Sequence, residues 1–428
     1  MQFESTRETV AFLARRATWG LGPGELDELE SLGVEGTIDR LVDPTAAGIA
    51  EETSPWADWE YVYDRSDNEA ARARTFEAYD RWLTRLADTE RPFDHQLAWF
   101  WHDHFAVSLQ VVRYLPAMLD HLDLCRSLGR GDFRELIRQV TTDAAMLIFL
   151  DGATSTGAAP NENYGRELLE LYTVGINNFT EDDVKAAAIA LTGWTIQRRP
   201  TVEVRYVPIR HDDTPQSLLG VDGVHDVDTT VAAVTSSPAC PVFIASKFAR
   251  HFLGDVDNQT IFDLGATFAD ADLDIATLGR AVLETGAAGT ASPMVLAPVP
   301  WLLQAAKSTE VRADIETLLG ALRFLGQNPA NPPNVGGYPG AATWLASSAT
   351  AARFSVSTGL ARLTAPDAAA MVAASERDWD ALADLLLRPA GFSEPTLAAL
   401  DGLDASASNR PGEAALAVAL ASPDLLIA

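Results

Sequence analysis

The chain has 428 residues, 47% of them apolar and 21% charged, with 32 basic against 60 acidic side chains and a net charge of −28. That length is ample for a hydrophobic core. That charge excludes a nucleic-acid backbone or an anionic membrane surface as the main partner, because both are bound through Lys and Arg. Only Lys185, Lys247 and Lys307 are lysines, and Cys125 and Cys240, which allow one disulfide at most, are expected reduced and buried.

In chain order, Ser5-x-x-Glu8 is a capping box that opens a first helix carrying Val10, Leu13, Ala14 and Ala17 at helical spacing. Its Arg15-Arg16 pair looks like a twin-arginine signal, but Thr18, Gly20, Gly22 and Pro23 deny it the apolar run that an export signal needs. As given, the chain is therefore expected to be cytoplasmic. Leu26, Leu29 and Leu32 predict a second helix closed by Gly33, and Thr37 a cap for a third. Further helices are predicted over 70–87, from Arg91-Pro92 through Trp101, over 116–128, 133–150 and 163–174, and from Thr180, with Asp183 at its third position. Val202, Val204 and Tyr206 hint at a small β-ribbon near 200–210. Helical patterning returns over 229–235, 241–253, 260–268, 275–284 and 309–325. The stretch 293–306 is apolar but short and interrupted by proline, so no transmembrane segment is expected. Residues 326–343, dense in Pro, Gly and Asn, form a loop too long to be mere connection. The fold class is mainly α: a main helical domain over 1–360, with a C-terminal helical segment over 361–428 packed on it.

Four segments carry chemistry-bearing side chains. The first is Trp99-Phe100-Trp101-His102-Asp103-His104-Phe105. If the helix runs through His104, steps of about 100° put His104 on the face of Phe93, Leu97 and Phe100 and point His102 the opposite way. The imidazoles converge only if the helix ends near His102. The second is the predicted helix from Asn163, where Asn163, Glu167 and Glu170 share a face with Arg166 beside them. Two carboxylates one turn apart can hold a divalent cation, or can be the solvated face of an ordinary amphipathic helix. The third is Arg210-His211-Asp212-Asp213 with His225 and Asp226. The fourth is Lys247, Arg250 and His251, on a helix whose apolar face carries Phe243, Ile244 and Phe248. No Walker loop, GxGxxG, CxxC or GxSxG occurs.

These segments together resemble the bacterial "domain of unknown function 1800" family. The resemblance is carried by FLARRATWGLGPGELDEL, FWHDHFAVS, PNENYGRELLELYTVGINNFTEDDVKAAAIALTGWT, HDDTPQSLLG, PACPVFIASKFARHFL and NPPNVGGYPGAATWL. It implies that the polar segments form a site, but names no activity. Members often look exported, and their genes often neighbour a second family resembling sulfatases and alkaline phosphatases, which implies a partner protein of that kind. This chain departs from the family pattern at Asp103, where the His-x-His centre is usually Asn, and at Tyr338, usually Trp.

Two readings follow. In the first, the protein is a metal-assisted hydrolase. His102, His104 and Glu167 bind a divalent metal ion and Glu170 is the general base. Glu167 and His102 also join the reaction, and Asn163, Arg166, His211 and Lys247 hold the substrate. In the second it is a non-catalytic binding or scaffold protein whose polar motifs form a structural network. Both expect Glu167 within reach of His102 or His104.

Overall fold

A computed structural model describes residues 2–59, 68–197, 202–404 and 410–428. Among them helix dominates, at 62%, and the strands form two separate two-stranded antiparallel sheets. The predicted ribbon pairs Trp194–Gln197 with Glu203–Tyr206. A second, over Gln216–Leu218 and Val221–Val224, was not anticipated. Both are side structures on a helical body.

Local chemistry sets the helix ends. Ser5 accepts from Glu8 N–H and opens Thr6–Ala17, whose residues from Thr9 onward are all buried. A helix buried all round belongs to a core. Glu25–Val42 is broken at Gly33, whose φ of 72° only glycine adopts readily. Thr37, expected to cap a third helix, is instead buried inside the resumed one and donates to Leu29 O. The predicted 133–150 helix is two, Phe133–Thr141 and Ala144–Phe149. The break falls at Asp143, whose carboxylate accepts from Met146 N–H and starts the second helix. Thr180 and Asp183 form a reciprocal capping box on Glu181–Ala190, and the Asp183 carboxylate also takes Leu219 N–H of the second ribbon. Thr180→Ala is expected to cost about 1 kcal/mol, read as a lower urea midpoint with an unchanged slope.

One main core extends along the chain from Phe12 to Ala428. Its centre is aromatic: Trp101 packs against Phe105, Phe133 and Phe248, and its Nε1 donates to Gly129 O at 2.7 Å. A Cβ on Gly129 would lie 2.1 Å from Cys125 O and 2.8 Å from the Trp101 ring, so glycine is required for this approach. The extended segment 294–296 pairs with 426–428 through Ala428 N–H to Met294 O and Leu296 N–H to Leu426 O. No single described helix is long and apolar enough to cross a membrane.

Candidate functional site

The helix Pro92–His104 continues through both histidines, so they lie on opposite sides. His102 is sealed in the core, with rings of Trp82, Trp99 and Tyr338 around it. Neither of its ring nitrogens has a partner, and burial, then His121, push its pKa down to about 3. It is a neutral core residue here. His104 faces the other way, against Phe100 and Tyr172. Its Nε2 donates to Tyr172 O at 3.1 Å, which leaves Nδ1 as the lone-pair nitrogen. Burial and Lys247 lower its pKa, and the Tyr172 carbonyl only partly offsets them, for a value of about 3.

The helix from Glu162 is α only to Glu167; Leu168–Thr173 is a π-helix, with Thr173 Oγ1 bonded to Leu168 O. The i→i+5 spacing moves Glu170 off the face that α periodicity assigns to it. Glu167 forms no hydrogen bond or ion pair with either histidine; burial, then Glu170, raise its pKa. Arg166 is committed to Glu181 through two bonds of 2.9 and 2.6 Å, and Asn163 is exposed. His211 is held at the ribbon by Thr192 O and packs on Tyr206. Among the described residues no three His, Cys, Asp or Glu side chains are grouped to hold a metal ion. The expected His102–His104–Glu167 set is thus not assembled, because helix phase separates the histidines and the carboxylate reaches neither.

What the fold does assemble is a cleft of about 600 Å3. The 92–104 helix gives it Asp103 and His104, and the helix Ala239–Phe252 gives it Lys247, Arg250 and His251. The first helix adds Arg15 and Arg16, while the segment 293–297 forms one wall. The long 326–343 loop closes the other side with Tyr338. Of the residues given roles in the metal-hydrolase reading, His104 and Lys247 line this cleft, as do Asp103, Arg250 and His251 from the same two segments; His102, Asn163, Arg166, Glu167, Glu170 and His211 do not.

Asp103 is anchored from the loop. Its Oδ1 accepts Tyr338 N–H at 2.7 Å, and the Tyr338 ring stacks on Trp99 at 5.9 Å. Burial raises its pKa, the Tyr338 amide and Lys247 lower it, and the balance is about 6. Burial, then Arg250, lower the pKa of Lys247, which Asp103 partly restores. His251, lowered to about 4 by burial and Arg16, is neutral at pH 7.

The arginines were missed as site residues because the pair reads as a signal motif in sequence; the available clue was two cations following the apolar run Val10–Ala14 within one helix. Arg16 donates to Phe252 O, Ser292 O and Ala428 O at 3.1, 2.7 and 2.6 Å. Arg15 donates to Leu387 O, and its Nε is buried without a partner. Neither forms an ion pair with an Asp or Glu side chain among the described residues. Burial, then Arg388, lower both pKa values, that of Arg16 to about 9, and Arg16 lowers that of Arg15 further.

No curated protein and no solved structure matches the chain. The family described as "Protein of unknown function (DUF1800)" matches residues 12–427, nearly the whole length, so the chain belongs to that family.

Proposed function

We propose that the cleft binds a small anionic ligand with an apolar or aromatic body. One observation carries this reading: Arg15 and Arg16, both buried and neither in an ion pair with an Asp or Glu among the described residues, line a 600 Å3 cleft in a chain of net charge −28. A buried charge left unmatched is unfavourable by several kcal/mol, and the counter-charge most simply comes from a ligand. Lys247 and Arg250 add to the positive lining, and Asp103 and Asp255 are the acids beside them. Trp99, Phe100, Tyr338 and Trp344 supply the aromatic surface, which is the usual composition of a small-molecule site. The metal-assisted hydrolase reading is not taken further, since no three candidate ligands are grouped among the described residues.

The test is thermal unfolding with inorganic phosphate, sulfate, citrate and benzoate, each against chloride at matched ionic strength. A ligand at a hundred times its Kd should add about 2.7 kcal/mol of stability, seen as a raised Tm. Arg15→Met and Lys247→Met should each remove most of the rise. If no anion exceeds chloride, the reading is wrong and these residues are a structural network, the role Arg16 already shows in its bonds to three carbonyls.

A further inference from the structure

We propose that Lys247 is a Schiff-base-forming nucleophile and that the cleft's ligand is a small oxo acid, whose carboxylate is held by the cleft cations while its carbonyl carbon meets Nζ. This rests on the anion-binding reading above.

The three lysines are placed very differently. Lys185 is exposed and paired with Asp182 at 3.1 Å, and Lys307 is paired with Glu25 at 3.2 Å. Lys247 forms no ion pair among the described residues. It is half-buried in the cleft wall, with Nζ 5.2 Å from the centre of the Phe243 ring. An amine becomes a nucleophile when its proton is made easy to lose, and the two ways of doing so are removal from water and a neighbouring cation. Lys247 has both, from its burial and from Arg250 one turn along the same helix. The other titratable groups lining this cleft are Asp103 and His104 on the 92–104 helix, Arg15 and Arg16 on the first helix, His251 and Asp255 beyond Arg250, and Tyr338 on the long loop. His104, neutral and fixed by Tyr172 O, adds no charge that would restore the ammonium.

The chemistry balances without a further reagent. The ammonium gives a proton to Asp103, the carboxylate coupled to it. The freed lone pair attacks the carbonyl carbon, the C=O π electrons move to oxygen, and that oxygen takes a proton from the new N–H. The carbinolamine then loses water: Asp103 returns its proton to the departing oxygen, and the nitrogen lone pair closes the C=N bond. In sum, ammonium and ketone give iminium and water, with no change in oxidation state. The iminium would draw electrons from a bond on the carbon adjacent to the former carbonyl, the requirement for deprotonating a 2-oxo acid at C3 or decarboxylating a 3-oxo acid.

The experiment is reductive trapping of the full chain with pyruvate and sodium cyanoborohydride, followed by peptide mapping. The expected result is an adduct of one reduced pyruvate on Lys247, labelled in clear preference to Lys185 and Lys307, whose amines are held by Asp182 and Glu25. Inorganic phosphate should slow it, acetone should react more slowly than pyruvate, and Lys247→Arg should leave only the background. Equal labelling of the three lysines, or none, overturns the proposal, and the wild-type map decides even if the variant fails to fold. If phosphate still raises Tm in that case, the anion-binding reading stands and only the Schiff base is lost. If none of the anions has an effect either, both fall.

Discussion

Asp143→Ala is expected to lower the unfolding free energy by about 3–5 kcal/mol at about pH 6, the range for removing one partner of a buried charged pair. His121 is fully buried, and both its nitrogens face acceptors: Nδ1 lies 3.0 Å from Asp143 Oδ2 and Nε2 3.2 Å from Phe105 O. A ring with an acceptor on each nitrogen is satisfied only as the doubly protonated imidazolium. Burial by itself pushes its pKa down, but Cys125 and Asp143 push it up by more, to about 10. The same Asp143 oxygen accepts Met146 N–H, so alanine also removes a helix cap. The sign of the pH dependence follows. A pKa raised above its unfolded value of about 6.5 contributes stability that is complete below that value and disappears as pH rises through the folded one. Wild-type stability should therefore fall between about pH 6.5 and about 10, and that fall should flatten in Asp143→Ala. Asp143→Asn keeps the shape and much of the cap, so it should retain most of the loss if charge is the cause. Urea denaturation across the pH series measures all three. A wild-type profile flat across this window would show that His121 is not held as the cation.

The fold was legible where local chemistry decides it. Ser5, Pro92, Thr180 and Asp183 mark helix starts in the sequence and do so in the structure. The opposed directions of His102 and His104 follow from helix phase alone, once Pro92–His104 is taken as one helix. The long 326–343 loop announced itself by composition and does line the cleft. The rest depended on contacts remote in sequence. The π-helix at Leu168–Thr173 is invisible to a 3.6-residue pattern, and it shifts the register on which the Glu167–Glu170 face was drawn. Arg15 and Arg16 acquire meaning only because Leu387, Phe252, Ser292 and Ala428 bring carbonyls to them. Asp103 stood in plain view between two histidines, but its role depends on a loop more than two hundred residues later. Sequence patterns favoured paired acids and imidazoles; the fold gathered cations.

That loop makes the remaining prediction, a pair of glycine substitutions three residues apart with opposite outcomes. Gly337 has φ +93°, and a Cβ there would lie 2.5 Å from Asp103 Oδ1 and 2.7 Å from Asp103 O. The backbone oxygen cannot swing away, so the loop must move. Its movement withdraws the adjacent Tyr338 N–H from Asp103 and unseats the Tyr338 ring from Trp99. The left-handed conformation costs a non-glycine residue about 1–2 kcal/mol, and a lost hydrogen bond to a charged group about 1.5–3 kcal/mol. Gly337→Ala should therefore destabilise the protein by about 3 kcal/mol or more. Gly340 has φ −72° and nothing within 4 Å of an added Cβ. Gly340→Ala should instead be neutral or stabilise by about 0.4–1 kcal/mol, through the unfolded chain's reduced freedom. Urea midpoints measure both. The cleft supplies a second readout: anion-induced stabilisation and trapping at Lys247 should weaken in Gly337→Ala and persist in Gly340→Ala. If the two variants behave alike, the loop does not hold Asp103 in the way its hydrogen bond to Tyr338 implies, and the cleft's acid is positioned by the 92–104 helix alone.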